Sequence, residues 1–283
     1  MVQLDIADLK FEIVSTESFE FNRLTDFRIF HRGEPDIKVF IDSFKNLSPP
    51  QNSEVFLDEI IKWSRDKNGN NRFYIYICNE KTGDINSILS TDNNWSNFSL
   101  RYKKYTHIME DAFAGTLGEI AFRNAILFHK GIVMHASAIN WDNKGIMFSA
   151  PSGTGKTTQA NLWRKYMGAE ILNGDRPAVR VLENKAMVYG TPWSGSVPEF
   201  TNSNAPLSAI IMLEQSPTNS IRELKKEEVL LYLMPRCFLP YHDKRLMDIA
   251  IENLGRIITS TPVYLLKCRP DKEAVELVYQ CIK

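Results

Sequence analysis

The stretch Ile146-Met-Phe-Ser-Ala-Pro-Ser-Gly-Thr-Gly-Lys-Thr-Thr158 joins an apolar strand to a glycine-rich loop and then to a helix. Glycine at Gly153 and Gly155 lets the backbone turn tightly and point successive N–H groups inward. The N-terminus of the following helix adds the positive end of its dipole. This is the pattern of a Walker A loop, in a form that has Ala150 at the position of the first glycine. The sequence therefore predicts a site for the phosphates of a nucleotide.

The residues of this loop have predicted roles. We expect Lys156 to contact the β- and γ-phosphates and Thr157 to offer its hydroxyl to Mg²⁺. The flanking segments have the required character, because Gly145–Phe148 is apolar and Lys156–Met167 has the pattern of a helix that ends at Gly168. The other residues predicted to surround the phosphates are Ser152, Gly153, Thr154, Gly155 and Thr158.

Two further segments accompany the loop. Downstream, the predicted strand Ala169–Leu172 leads into a turn that contains Asp175, nineteen positions after Lys156. Upstream, Gly131–Ile139 has the pattern of an apolar strand interrupted by His135, and the turn Asp142–Gly145 connects it to the strand before the loop. Ordinary P-loop ATPases carry their second metal-binding aspartate several elements further along, so this spacing indicates another kind of P-loop protein.

On His135, the loop Ala150–Thr157 and Asp175, the chain resembles the HPr kinase/phosphorylase family and, more distantly, the phosphoenolpyruvate carboxykinases. It is most similar to HPr-kinase-like proteins of peptide-modification pathways. The resemblance covers about residues 113–195. It implies an α/β (α+β) fold with an HPr kinase/PEP carboxykinase-like P-loop core, ATP and Mg²⁺ as cofactors, and a kinase reaction on a serine hydroxyl of a peptide or small protein.

The chain departs from the family at two places. HPr kinases carry two adjacent aspartates in the turn, whereas here Gly174 precedes Asp175. They also carry a glutamate–arginine–glycine signature shortly afterwards, and the corresponding segment, Val188–Gly195, has the glycine without the acid or the arginine. These departures leave open whether phosphorylase activity is retained and whether HPr is the acceptor.

The chemistry of the site residues allows alternatives. Asp175 could hold the metal together with Thr157, or it could accept the proton of an attacking hydroxyl while His135 holds or relays that proton. His135 could also be a core histidine whose hydrogen bonds are satisfied. Arg176 could bind a phosphate in bidentate fashion or be an ordinary surface residue. The segment Trp193–Ser196 could cover the phosphates or the acceptor, or be a hairpin loop with a packed tryptophan.

Composition is consistent with a cytoplasmic enzyme. The 283 residues are 43% hydrophobic and carry 34 basic and 34 acidic side chains, so a nucleic-acid partner is not expected. The four cysteines lack metal-type or redox-type spacing, which predicts reduced thiols. No apolar run has the length of a membrane span. The scattered histidines do not support a zinc hydrolase, and no serine-hydrolase elbow is present.

We predict two domains. Residues 1–105 form an N-terminal α+β domain that recognises the acceptor or merely covers the nucleotide sheet, with strands at Leu9–Val14, Phe27–His31, Ile37–Ile41 and Arg72–Cys78 and a helix near Glu54–Arg65. Residues 106–283 form the nucleotide-binding domain, which starts with the helix Ala112–Phe128. Its remaining predicted elements are strands at Ala178–Val181, Ala209–Leu213 and Val263–Lys267 and helices at Lys225–Leu233, Leu246–Ile258 and Glu273–Cys281.

Two classes of function are compatible with these features. One is an ATP-dependent kinase, and the other is a nucleotide-binding regulatory or scaffold protein without turnover, which the single aspartate of the turn would suit. A carboxykinase is a weaker third reading, because that chemistry needs further metal ligands and arginines. The assembly state stays open, with a homo-oligomer as one option. The segment Met234–Tyr241, with two prolines, is expected to pack over the nucleotide base or over the core.

Overall fold

A computed structural model describes residues 1–16, 22–31, 33–58, 61–67, 72–104, 113–195 and 199–283. The chain forms two compact units, Met1–Phe128 and His129–Lys283. The predicted boundary at residues 105 and 106 lies outside the described residues, and the boundary between the two units falls later, after Phe128. None of the described helices combines the length and the apolar run needed to cross a bilayer.

The N-terminal unit is built on one sheet. Its order is β1-β2-β3-β8-β7-β6-β5-β4, with parallel pairing between β2, β3 and β8 and antiparallel pairing elsewhere. The strands are β1 (Val2–Ile6), β2 (Leu9–Ser15), β3 (Ile37–Phe44), β4 (Ser53–Asp58), β5 (Ile61–Asp66), β6 (Phe73–Cys78), β7 (Ile85–Thr91) and β8 (Asn97–Lys103).

The helix of this unit, α1 (Thr116–Ala125), continues into a 3₁₀ turn at Ile126–His129. The rings of Phe113 and Phe122 lie 5.5 and 6.3 Å from the ring of Phe11 in β2. The sequence predicts this helix within the second domain, whereas the division into two compact units groups it with the N-terminal sheet, on which its apolar residues pack. The predicted helix Ala112–Phe128 is confirmed as a shorter helix, and its first residue lies outside the described part of the chain.

Two other predictions for this unit are wrong. The segment Glu54–Arg65 is not a helix, because β4 and β5 pair with each other and β5 pairs with β6. Trp63 is buried there against the rings of Phe73 and Trp95. Phe27–His31 is not a strand: a 3₁₀ helix occupies Asn22–Phe27, and only Arg28 forms a bridge to β1. Long-range pairing and burial override local propensity at both places.

The C-terminal unit has a nine-stranded sheet with helices on it. Its path runs β12-β10-β11-β15-β14-β13-β9, and β17 pairs with both β15 and β16. The strands are β9 (Gly131–Val133), β10 (Ala136–Trp141), β11 (Lys144–Ser149), β12 (Glu170–Asn173), β13 (Ala178–Leu182), β14 (Lys185–Tyr189), β15 (Asn204–Gln215), β16 (Ser220–Glu223) and β17 (Val263–Cys268), and the helices are α2 (Lys156–Met167), α3 (Lys226–Leu233), α4 (Lys244–Ser260) and α5 (Lys272–Ile282).

The centre of this sheet is parallel. β11 pairs in parallel with β15, and β15 pairs in parallel with β17. Trp163 of α2 is fully buried against Phe148 of β11, in a core that also includes Val275 and Val278 of α5. The described residues thus form a mixed α+β protein, as the sequence predicts, and the helices and strands predicted after residue 145 are confirmed within one or two residues at most ends.

The predicted strand Gly131–Ile139 is instead two strands. β9 pairs with β13, whereas β10 pairs with β11 and β12. The chain changes neighbours at Met134 and His135, where the backbone N–H of His135 donates to the carbonyl of Arg236 at 2.7 Å. The histidine therefore lies in the break between two strands and not within one. In the sheet, β10 lies between β12 and β11, the strand before the loop.

Candidate active site

Strand direction brings the predicted site residues to one edge of the C-terminal sheet. β10 runs antiparallel to both β11 and β12, so the start of β10 meets the ends of its two neighbours. His135 precedes β10, Ala150 follows β11, and Asp175 follows β12 by two residues. The backbone N–H of Ala136 donates to the carbonyl of Asp175 at 3.0 Å. Residues distant in sequence therefore meet at the start of the glycine-rich loop.

The loop has the backbone geometry that its glycines predict. Gly153 has φ +78° and Gly155 has φ +115°, in the left-handed region that residues with a side chain rarely adopt. Helix α2 begins directly after Gly155, so its unpaired N–H groups face the loop. The side chains of Ser152, Thr157 and Thr158 are exposed at this end of the helix. The loop thus offers backbone donors, hydroxyls and a helix dipole to an anion.

Lys156 is buried at the first position of α2. Its Nζ donates to the carbonyl of Ala150 at 3.4 Å, which curls the side chain back over the loop. Burial lowers the pKa of the Lys156 ammonium, an effect that the Asp175 carboxylate opposes and the Arg236 guanidinium reinforces. The electrostatic interaction with Asp175 indicates that these two predicted site residues lie in one neighbourhood. The amino group is thus oriented above the loop.

Asp175 has both carboxylate oxygens engaged. Its Oδ1 lies 3.1 Å from Nε2 of His135, and its Oδ2 accepts from Nε of Arg176 at 3.2 Å. The three side chains are partly buried, with about a quarter to a third of each exposed to solvent. His135 is therefore held by the aspartate at the sheet edge, and Arg176 is neither a free surface residue nor fully available to a phosphate.

The surroundings keep the Asp175 carboxylate ionised. Burial would raise its pKa, but the hydrogen bond from His135 lowers it, and the charges of His135, Arg176 and Lys156 lower it further. The net result is that the pKa of Asp175 lies below its ordinary value. The group is thus a carboxylate at neutral pH, able to accept a hydrogen bond or a proton from a bound hydroxyl.

Asn173 positions this aspartate, and the sequence reasoning did not identify it. Its side chain is fully buried, and its Oδ1 accepts from the backbone N–H groups of Asp175 and Arg176 at 2.9 and 2.6 Å. Its Nδ2 donates to Oγ1 and the carbonyl of Thr191 and to the carbonyl of Trp193. The Asn-Gly-Asp sequence is a signal for such an Asx turn, so Asn173 could have been found from it.

The segment after β14 lies beside the aspartate. Trp193 is buried, and a Cβ on Gly195 would lie 2.6 Å from Oδ2 of Asp175, so only glycine fits this position without displacement. Gly195 also has φ +70°. The segment therefore combines a packed tryptophan with close backbone approach to the carboxylate. Ser196, the last residue of the predicted covering loop, lies outside the described residues.

The segment Met234–Tyr241 packs beside His135. The ring of Phe238 lies 6.4 Å from the ring of His135 and 5.7 Å from the guanidinium carbon of Arg176. Its backbone N–H donates to the carbonyl of Val133 at 3.1 Å. The segment thus packs on the core through the buried Cys237 and borders the side chains of His135 and Arg176, whereas its packing over a nucleotide base stays a prediction.

A cavity of about 480 Å³ adjoins the loop on its other side. Its walls come from the loop and the start of α2, from the ends of β15 and β17, and from the segments that follow these strands. Nε2 of Gln215 lies 3.5 Å from the carbonyl oxygens of both Gly153 and Thr154. The volume of this cavity is that of a small-molecule pocket.

The described residues contain no group of three or more histidine, cysteine or acidic side chains that could hold a metal by themselves. Thr157 and Asp175 remain the two predicted metal ligands. A Mg²⁺ ion bound with a nucleotide takes few ligands from the protein and several from phosphates and water, so a hydroxyl and one carboxylate are compatible with it. The contacts of Asp175 with His135 and Arg176 would compete with direct coordination.

No protein-family model matches the chain, and no curated protein matches it. Among solved structures, the HPr(Ser) kinase/phosphatase from Coxiella burnetii is similar to it at 12% sequence identity and a TM-score of 0.30. The match covers 53% of this chain and 89% of that one.

Proposed function

We propose that the chain binds a nucleoside triphosphate with Mg²⁺ on the loop 150–158 and transfers the γ-phosphoryl group to a hydroxyl. The observation that carries this proposal is the pairing of His135 with Asp175 beside the buried Lys156. A base, a base-orienting group and a phosphate-binding cation then share one sheet edge. Such positioning and charge neutralisation make up most of the catalysis of phosphoryl transfer.

Each residue has a definite task in this proposal. The loop N–H groups and Lys156 hold the phosphates, and the Mg²⁺ ion, with Thr157 as a ligand, would neutralise charge that develops on them. Asp175 accepts the hydrogen bond, and finally the proton, of the attacking hydroxyl. His135 holds Asp175 in place through the 3.1 Å contact and keeps it ionised. We therefore assign Asp175 to the base and not to the metal.

The acceptor class rests on the family resemblance of His135, the loop and Asp175. That resemblance leads us to propose a serine hydroxyl of a peptide or small protein as the acceptor, with the N-terminal unit as the part that recognises it. The transfer forms a bond between the hydroxyl oxygen and the γ-phosphorus and breaks the bond to the β-phosphate oxygen. The hydroxyl proton goes to Asp175.

Binding and turnover of ATP test the proposal. Calorimetry should show Mg²⁺-dependent ATP binding that Lys156→Ala weakens by about 1.5–3 kcal/mol, the size of a charge-assisted hydrogen bond in a partly desolvated site. Lys165→Ala is the matched control, because Lys165 is exposed on the same helix and lies away from the loop. Equal ATP affinity for Lys156→Ala and the wild type would refute the role given to the loop.

A nucleotide-binding regulatory or scaffold protein is the second candidate function. It is favoured by the single carboxylate of the turn, both of whose oxygens already have partners. Release of labelled phosphate from ATP, measured with and without Mg²⁺ and with candidate peptides, separates the two functions. Tight Mg²⁺-dependent binding with no transfer to any hydroxyl would support the regulatory function.

A further inference from the structure

Arg236 is held beside His135 by its backbone. Its carbonyl accepts the backbone N–H of His135 at 2.7 Å, and the next residue, Cys237, forms a bridge with Met134. Cys237 is buried, so this part of the segment is anchored in the core. The backbone therefore places Arg236 at the sheet edge where the predicted site residues meet, one hydrogen bond from the break between β9 and β10.

The guanidinium of Arg236 has no partner of its own. The side chain is partly buried, and among the described residues it forms neither a hydrogen bond nor an ion pair. Arg176, the arginine considered from the sequence, is engaged instead: its Nε donates to Oδ2 of Asp175, and its guanidinium carbon lies 5.7 Å from the ring centre of Phe238. Of these two arginines, Arg236 is the one that keeps all its N–H donors for a ligand.

The charge of Arg236 makes this edge of the sheet favourable for an anion. Burial lowers the pKa of Lys156, the Asp175 carboxylate opposes this effect, and the Arg236 guanidinium reinforces it. Two cations thus repel each other in a partly desolvated place, and the carboxylate that acts on Lys156 already binds His135 and Arg176. An anion that binds beside both cations would stabilise them.

The phosphates of a nucleotide supply such an anion. In the proposed function, Lys156 and the loop hold the phosphates, and the attacking hydroxyl lies beside Asp175. Arg236 borders both places, because its backbone binds His135 and its charge acts on Lys156. The γ-phosphate lies between the loop and the hydroxyl in such a complex, so it is the phosphate that Arg236 can contact. A planar guanidinium can bind two phosphate oxygens at once, whereas an ammonium acts as a point charge.

We propose that Arg236 binds the γ-phosphate of the bound triphosphate through its guanidinium, and that this contact distinguishes a triphosphate from a diphosphate. The guanidinium stays protonated throughout, and the hydroxyl proton still goes to Asp175. This inference rests on the proposed function, and it gives Arg236 the bidentate phosphate contact that the sequence offered for Arg176. Because the contact is lost with the transferred group, the diphosphate product is held less tightly than the substrate.

The test is a cycle of two ligands and two proteins. ATP and ADP, each with Mg²⁺, are titrated by calorimetry into the wild-type chain and into Arg236→Gln, whose side chain is uncharged. The variant should bind ATP about tenfold more weakly than the wild type, because a charge-assisted contact to the γ-phosphate is lost. Its affinity for ADP, which has no γ-phosphate, should stay within about twofold of the wild type.

Two further variants keep the result interpretable. Arg256→Gln is the matched control, because Arg256 is exposed on α4, binds Glu252 and lies beside the β13–β14 turn, at the far end of β13 from Asp175. This control should keep both affinities within about twofold of the wild type. Arg236→Lys keeps the charge without the planar fork, so it should lose less ATP affinity than Arg236→Gln.

Stability without nucleotide distinguishes binding from a structural role. Arg236 has no side-chain hydrogen bond to lose among the described residues, and its charge repels Lys156. Arg236→Gln should therefore unfold in denaturant at the same midpoint as the wild type or at a higher one. A clearly lower midpoint, together with equal losses of ATP and ADP affinity, would make Arg236 a structural residue and overturn the inference.

The outcomes separate this inference from the proposed function. An ATP affinity that is unchanged in Arg236→Gln would overturn the contact with the γ-phosphate and leave the loop standing as the nucleotide site. Equal losses for ATP and ADP would likewise overturn it, since the contact would not depend on the γ-phosphate. A wild-type chain that binds neither nucleotide would overturn both proposals together.

Discussion

Both units of this chain contain parallel strands, but the ends of those strands differ. In the N-terminal unit, β2, β3 and β8 are parallel, and the segments that follow them begin Thr16-Glu, Lys45-Asn and Lys104-Tyr. In the C-terminal unit, β11 ends in a loop with two glycines at positive φ. Such a loop allows successive backbone N–H groups to converge on an anion. Parallel pairing brings strand ends together, and the residues after each strand decide whether a site forms there.

The C-terminal unit also gathers side chains by antiparallel pairing. The start of β10 meets the end of β12, and His135 and Asp175 lie next to these two strand ends. Nε2 of His135 is 3.1 Å from Oδ1 of Asp175, although forty residues separate them in sequence. The described strands of the N-terminal sheet instead bury apolar side chains, such as Ile75 and Leu89, and pack rings around Trp95. The following predictions test whether the chemistry is confined to the C-terminal unit.

The largest effect is expected for Asp175→Asn. The amide keeps the shape of the side chain but cannot accept a proton, so phosphoryl transfer should fall by about two orders of magnitude or more, with little change in nucleotide affinity. Single-turnover transfer from labelled ATP is the measurement. Asp142→Asn is the control, because Asp142 is exposed in the β10–β11 turn at φ +50°, which asparagine tolerates. Equal transfer by both variants would remove the catalytic role of Asp175.

Asn173→Ala should destabilise the C-terminal unit. The change leaves the N–H groups of Asp175 and Arg176 without their acceptor and breaks the link to Thr191 and Trp193, so we expect a loss of about 2–3 kcal/mol in the free energy of unfolding. Denaturant titration measures it. Asn161→Ala, on the surface of α2, should stay within about 0.5 kcal/mol of the wild type. A change this small for Asn173→Ala would contradict the anchoring role.

His135→Ala should have a smaller effect on transfer, about tenfold, because the histidine assists a step that Asp175 carries out. A greater loss than for Asp175→Asn would make the histidine the base. The variant should also raise the pKa of Asp175, since it removes the hydrogen bond and charge that lower it. Carboxyl ¹³C NMR, assigned with Asp175→Asn, reports this pKa.

The lowered pKa of Asp175 determines how the stability of the protein changes with pH. In the wild type, Asp175 contributes stability that is present above its ordinary pKa and is lost as the pH falls through its depressed folded-state value. In His135→Ala this contribution is smaller, so the wild type and the variant should differ more in stability at neutral pH than in strong acid. An unchanged pKa in the variant would contradict the contact between the two side chains.

The smallest effect concerns backbone exchange. Mg²⁺-ATP should slow hydrogen exchange severalfold in the loop 151–155 and at the start of α2, where backbone N–H groups bind phosphate in the proposed function. Strands β1–β8 should change by less than about twofold. Mass spectrometry of peptides from the exchanged protein distinguishes the two regions. Comparable protection of both units by Mg²⁺-ATP would contradict the view that only the C-terminal sheet carries a site. Protection of β1–β8 by an acceptor peptide would instead assign these strands to recognition of the acceptor.

The sequence by itself determined the loop, the helix α2 and the glycine that ends it. Gly153, Gly155 and Gly168 all have positive φ, and α2 runs over the predicted residues Lys156–Met167. These features depend on local steric limits of the backbone, which act between neighbours in the chain. The β10–β11 turn belongs with them, because Asp142 and Asn143 tolerate the positive φ of a tight hairpin.

Only the tertiary structure decided which distant segments pair and which side chains meet. The described residues of Glu54–Arg65 form β4 and β5 because these strands pair with each other and β5 pairs with β6. Gly131–Ile139 forms two strands because its halves pair with different neighbours. The cavity wall likewise joins Gln159 to Cys268, more than a hundred residues away. Such outcomes depend on hydrogen bonds and burial between distant segments, whose partners a local pattern does not specify. Local sterics set the backbone of the glycine-rich loop, and long-range pairing set the side chains that surround it.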